Sequence, residues 1–172
     1  MAGSKELNKY LNELSKEELI KEVYKLYKKF KPVRSYYVSE LGIDNGESLR
    51  KYKLRLEKLF IAKFNFSNPN LNEANAIVKE FVSISVHALD HIDLMLYKVE
   101  LCLEFLKEWG FEFDNIARSV ANTYPEVLNK IYDNRLEKTF QARCKKLEGV
   151  ALDYDLISDT LIIDEEDEDS DS

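Results

Sequence analysis

An all-α fold is predicted by three features of this chain. Apolar residues recur at a helical period from Ser4 to about Lys146, capping signals mark the joints between those stretches, and breakers are scarce, with 5 Gly and 3 Pro in 172 residues. That length suits one domain with a sizeable core, and 45% apolar with 33% charged residues suits helices with a solvated face. The expectation is a compact bundle of about six to eight helices over residues 1–146, with a short α-solenoid as the alternative. An acidic, mostly disordered tail is expected over 147–172.

The elements follow in chain order. Ser4 stands as N-cap of a first helix with Leu7, Tyr10, Leu11 and Leu14 on one stripe. Ser15-Lys-Glu-Glu18 has the spacing of a capping box, in which hydroxyl and carboxylate each accept a free N–H. The second helix carries Leu19, Ile20, Val23, Leu26, Tyr27 and Phe30; Pro32 ends it and can open a short third helix through Val33, Tyr36 and Tyr37. Gly42 to Gly46 reads as a loop. A fourth helix through Leu49, Tyr52, Leu56, Leu59 and Phe60 follows, then a joint at Ser67-Asn68-Pro69, with Asn68 as cap and Pro69 at the first helical position.

From Leu71 to Trp109 there is neither Gly nor Pro, too long a run for one helix of a compact domain. The β-branched segment Val82–Val86 and the polar His87–His91 stretch mark the expected break. Ile92 to Trp109 then reads as the central helix, apolar on most sides, with a narrow polar stripe of Asp93, Tyr97, Glu100, Glu104 and Lys107. Gly110 supplies a left-handed stop. Asp114 opens a helix through Ile116, Val120 and Tyr124, and Pro125 is expected to start a new one, capped by Thr123, through Val127, Leu128, Ile131, Leu136 and Phe140. Gly149 is expected to end the helical region.

The net charge of −7 is unevenly spread. Residues 1–63 carry 15 bases and 9 acids, residues 64–146 carry 10 and 12, and residues 147–172 carry eleven acids and no Lys or Arg. No stretch approaches the ~20 apolar residues of a membrane span, and the Met-Ala-Gly-Ser-Lys-Glu start has no apolar core of a secretory signal. Cys102 and Cys144 are too far apart in sequence to form a C-x-x-C pair and read as two small apolar thiols of a reducing compartment. A cytoplasmic location is the expectation.

Four stretches carry a resemblance: Leu11 to Ile20, Leu26 to Tyr37, Asp93 to Glu100 and Phe140 to Lys146. Across most of residues 5–146 the chain resembles a family of small bacterial helical proteins, domain of unknown function 6155; the acidic C-terminus departs from that pattern. The resemblance implies a bacterial cytoplasmic protein with an all-helical fold. It implies no activity, and no catalytic residues carry over.

Candidate chemistry is sparse. His87 and His91, at i and i+4, would face one way on an unbroken helix and could bridge a divalent metal; a polar helix junction with Asp90 as cap is the plainer reading. Asp93, Glu100 and Glu104 share one stripe, where paired carboxylates can do acid–base work if burial separates their pKa values, although such a stripe is usually solvated. Phosphate loops, H-E-x-x-H, G-x-S-x-G and Cys–His pairs are missing. No cofactor is expected. The leading expectation is therefore a non-enzymatic module that binds another protein through a helix groove or its tail. The alternative is nucleic-acid binding by Lys25, Lys28, Lys29, Lys31, Arg34, Arg50 and Lys53, with Tyr36 and Tyr37 stacking on bases and the acidic tail competing for the same basic face.

Overall fold

The computed structural model describes residues 3–43, 46–61, 69–110 and 113–161, without the side chain of Ile61. Among them it contains eight helices and no strand, so the all-α expectation and the helix count hold. The described residues fall into two compact units, one within 1–45 together with 84–86 and one within 46–83 together with 87–161.

The first unit holds α1 (Ser4–Glu13), α2 (Lys16–Lys29) and α3 (Lys31–Glu40). Gly3, not Ser4, is the N-cap of α1. The capping box at α2 is complete: Ser15 N–H donates to Glu18 Oε2 at 2.8 Å, and Glu18 N–H donates to Ser15 Oγ at 3.3 Å. Pro32 sits in the first turn of α3, where a missing N–H costs nothing. At the end of α3 the Gly42 N–H donates to Ser39 O and the Ile43 N–H to Val38 O, with Gly42 at φ 63°, a glycine-type helix stop. Asp44 and Asn45 lie outside the described residues.

The second unit holds α4 (Glu47–Ile61), most of α5 (Leu71–Ile84), α6 (Ala88–Trp109), α7 (Asp114–Asp133) and α8 (Glu137–Asp153). Helix α6 is its axis and packs against α4, α7 and α8. Contact with three helices, two of them distant in sequence, makes this a bundle rather than a solenoid, in which a repeat touches only its neighbours. All ten apolar residues expected to be buried between Ile92 and Leu106 are buried. Its neighbours present matching stripes: Tyr52, Leu56 and Phe60 from α4, Ala74, Ile77 and Phe81 from α5, and Val120, Tyr124, Val127 and Ile131 from α7. The break between α5 and α6 falls at Ser85–His87, inside the expected segment.

Other joints also differ from expectation: the helix expected to run from Pro125 through Ile131, Leu136 and Phe140 instead breaks after Asp133, where Arg135 turns left-handed and α8 restarts at Glu137. Asn70 rather than Asn68 caps α5: its Oδ1 accepts the Glu73 N–H at 3.2 Å, Pro69 precedes the helix, and Asn68 lies outside the described residues. Pro125 lies inside an unbroken α7. An interior proline costs about 3 kcal/mol, but Val120 and Tyr124 before it and Val127, Leu128 and Ile131 after it share one buried face, which holds the helix together. Gly149 does not end α8, because Leu147, Glu148 and Ala151 keep its buried face going to Asp153. There the chain turns at Asp155 (φ 53°), with Leu156 N–H on Ala151 O at 2.9 Å. The final acidic run, Asp164 to Ser172, lies outside the described residues.

Candidate functional site

The most exposed apolar surface is on the first unit. No residue of α1, α2 or α3 is buried, although each helix has an apolar stripe. Leu19, Ile20, Val23, Tyr24 and Tyr27 of α2 line a groove of about 570 Å³ with Tyr37 of α3 and Leu41. Ile20 is 59% and Tyr24 57% exposed. The groove follows from the i, i+4, i+8 run of Leu19, Val23 and Tyr27, and it is floored by rings: Tyr24 and Tyr27 lie parallel with centroids 6.1 Å apart, and Tyr27 meets Tyr37 at 6.4 Å. Bases surround it. Lys28 Nζ sits 4.6 Å from the Tyr24 ring, Lys29 Nζ 5.5 Å from Phe30, and Arg34 lies over Tyr27 while donating to Lys28 O at 3.0 Å.

The proposed nucleic-acid residues are therefore divided. Lys25, Lys28, Lys29, Lys31 and Arg34 gather along α2 and the start of α3, and Lys25 pairs with Glu22 at 3.3 Å. Arg50 is exposed on α4 of the second unit. Lys53, also on α4, is part-buried: its Nζ lies 2.5 Å from Asp93 Oδ1 and 5.1 Å from the Tyr97 ring.

The carboxylate stripe of α6 is occupied by its own chain. Arg143 of α8 donates from Nε and Nη2 to the two Glu100 oxygens at 2.6 and 2.8 Å, and from Nη1 to Asp93 Oδ1 at 2.7 Å. Burial alone would raise the Asp93 pKa, but hydrogen bonds from Lys53 and Arg143 bring it below its ordinary value. Tyr97 donates its hydroxyl to Glu57 on α4. These contacts lock α4, α6 and α8 together, and they occupy the Asp93 and Glu100 carboxylates with Lys53 and Arg143.

His87 precedes α6 with extended backbone and is its N-cap residue, while His91 and Asp90 lie in its first turn. The His91 N–H donates to His87 O at 3.2 Å, while His87 itself keeps its extended backbone. Among the described residues, no group of three or more His, Cys, Asp or Glu side chains is placed to hold a metal ion. Cys102 and Cys144 are free and buried, and burial pushes the Cys102 thiol up to about 11. A thiol so raised is a poor nucleophile at neutral pH.

One residue the periodicity did not single out stands apart. Lys98 is 4% exposed, and its Nζ donates to Asn75 Oδ1 at 2.7 Å and Thr123 Oγ1 at 2.9 Å. Its helical neighbours Leu94, Met95, Leu101, Cys102 and Phe105 are all apolar, so a lysine at that position was the available signal.

The model of the Family of unknown function (DUF6155) matches residues 2–160, and the chain belongs to that family. No curated protein and no solved structure matches the chain. Among the described residues no helix is long and apolar enough to cross a membrane.

Proposed function

We propose that this chain is a non-enzymatic, cytoplasmic protein–protein interaction module whose α2–α3 groove receives an amphipathic helix of a partner protein. One observation carries the reading: three consecutive amphipathic helices leave every apolar side chain at least partly open, and Leu19, Ile20, Val23, Tyr24, Tyr27 and Tyr37 converge on one groove. An apolar helix face in a groove is a common mode of peptide recognition, anchored by side chains at i, i+3 or i+4 and i+7. Residues 16–40 carry seven bases and four acids, so an acidic flank on the incoming helix is complementary. Lys28 and Arg34 already stack on the groove rings Tyr24 and Tyr27, and Lys53 is paired to Asp93, which favours this reading over a phosphate-tracking surface.

The test is site-specific photocrosslinking from position 20 of the full chain in cells. The reading expects one reproducible crosslinked protein that is lost with Val23→Glu and retained with Lys5→Glu. Crosslinks to nucleic acid, crosslinks only between copies of this chain, or a pattern unchanged by Val23→Glu would each overturn it.

A further inference from the structure

The second unit contains a cleft of about 470 Å³ between α5 and α7, and Lys98 of α6 borders it together with Met95. We propose that this cleft binds a small anionic metabolite through a carboxylate or phosphate group, with Lys98 as the anchoring cation.

The argument begins with the cost of burial. An ammonium group removed from water loses several kcal/mol of hydration, on the order of what only a counter-charge and full hydrogen bonding return. Lys98 has two neutral acceptors, an amide oxygen and a hydroxyl, and among the described residues no carboxylate pairs with it. Thr123 and Asn75 hold Nζ in place from opposite walls, so the charge is fixed in direction as well as depth.

The walls agree in sign. Lys79 from α5 and Arg118 from α7 also line the cleft, against the single carboxylate of Glu126. Three cations facing one anion favour a negative guest, and the low-dielectric floor strengthens that preference.

The helices that build the cleft carry residues that helices disfavour. Asn72 and Asn75 on α5, and Asn115 and Asn122 on α7, all face this space. Asparagine competes with the helix for backbone hydrogen bonds, and four of them converging on one cleft is a local sacrifice of propensity. Such conflicts concentrate where a site needs donors and acceptors. Their amide N–H groups, with the Ser119 hydroxyl, suit the oxygens of a carboxylate or phosphate and the hydroxyls beside it.

Titration of the full chain with sodium phosphate and with sodium citrate, at constant ionic strength and with glucose as the neutral control, tests the proposal. Backbone amide chemical shifts and thermal unfolding are the two readouts. At least one anion should bind saturably, with shifts confined to α5, the middle of α6 and the first half of α7, and glucose should not. Lys98→Met should weaken binding at least tenfold. Arg118→Ala, an exposed rim change that leaves the core intact, should weaken it severalfold with an unchanged melting temperature, so the proposal stays testable if Lys98→Met does not fold. The phosphate and citrate arms identify the preferred group. Failure of both anions to bind, equal binding by Arg118→Ala, or preferential binding of glucose would overturn the inference.

Discussion

Helices α1–α3 and helices α4–α8 are built from similar amphipathic patterns, yet they end in opposite states. In the second unit α6 alone buries ten apolar side chains, while α1, α2 and α3 of the first unit bury none. Both α2 and α6 have the periodicity of a packed helix. What differs is width: α6 is apolar on most of its circumference and so demands several neighbours, whereas α2 has one stripe and α3 covers only part of it. An apolar pattern thus states that a face wants cover, and does not state that the chain itself supplies it.

The largest expected effect tests this contrast directly. Leu96→Ala, at a fully buried position, should destabilise by about 2–5 kcal/mol, while Ile20→Ala should stay within about 0.5 kcal/mol. Urea unfolding of both variants measures the difference. A large loss at Ile20 would mean that the α2 face is covered within the chain, and the proposed interaction surface would go with it.

The next effect sets an embedded ion pair against an exposed one. Arg143→Met removes three charge-assisted hydrogen bonds to Asp93 and Glu100 and should cost about 2–4 kcal/mol. Glu22→Gln, which breaks the exposed Lys25 pair of α2, should cost under about 0.5 kcal/mol. The pH dependence has a defined sign. A depressed folded-state pKa at Asp93 contributes stability that is present above its unfolded value of about 3.9 and is lost as pH falls through the lower, folded value. Stability of the parent chain should therefore drop more steeply below about pH 4 than that of Arg143→Met. Parallel acid profiles for the two proteins would remove Arg143 as the cause.

A smaller effect is expected at Tyr124, whose buried hydroxyl donates to Glu148 Oε1 at 2.5 Å; the same oxygen accepts the Leu161 N–H at 2.6 Å. Burial and this carboxylate push the phenol well above its ordinary range, so it stays a donor at every working pH. Tyr124→Phe leaves Glu148 with one of these two donors and should cost about 1–3 kcal/mol. It should also speed amide exchange at Leu161, because the segment after α8 is tied down through the same oxygen. Unchanged exchange there would separate the two bonds.

Much of this architecture was legible in the sequence because it rests on strong local signals. The Ser15–Glu18 capping box, the apolar run of α6 and the Ser85–His87 break each state their structure in a few residues. Two of the misread joints share a cause. Proline at 125 and glycine at 149 are breakers by intrinsic preference, but the buried faces on either side of them outweigh that preference, and burial is a property of the partners. The sites were less legible. Lys98 is a single charge in an apolar run, and its meaning depends on Asn75 and Thr123, which come from two other helices. Arg143 reaches Asp93 and Glu100 only because α8 lies beside α6, which no local pattern states. The apolar stripe of α2 was visible as a pattern, while its lack of cover was not.

The smallest effect compares the two units at one shared motif. Both α3 and α7 end in the same pair of backward hydrogen bonds, with Gly42 at φ 63° in the first unit and Arg135 at φ 54° in the second. Arg135 N–H donates to Tyr132 O at 3.1 Å and Leu136 N–H to Ile131 O at 3.0 Å, so the left-handed turn is imposed by α7 ending against α8. A side chain in that conformation costs about 1 kcal/mol that glycine does not incur. A Cβ on Gly42 would meet no atom within 4 Å, so its cost there is conformational alone. Arg135→Gly should accordingly stabilise the second unit by up to about 1 kcal/mol, and Gly42→Ala should destabilise the first by a similar amount. Because the first unit buries so little, the Gly42→Ala loss should show as faster amide exchange along α3, whereas the Arg135→Gly gain should raise the midpoint of the whole second unit. A gain at Arg135 confined to the end of α7 would mean that α7 and α8 unfold separately.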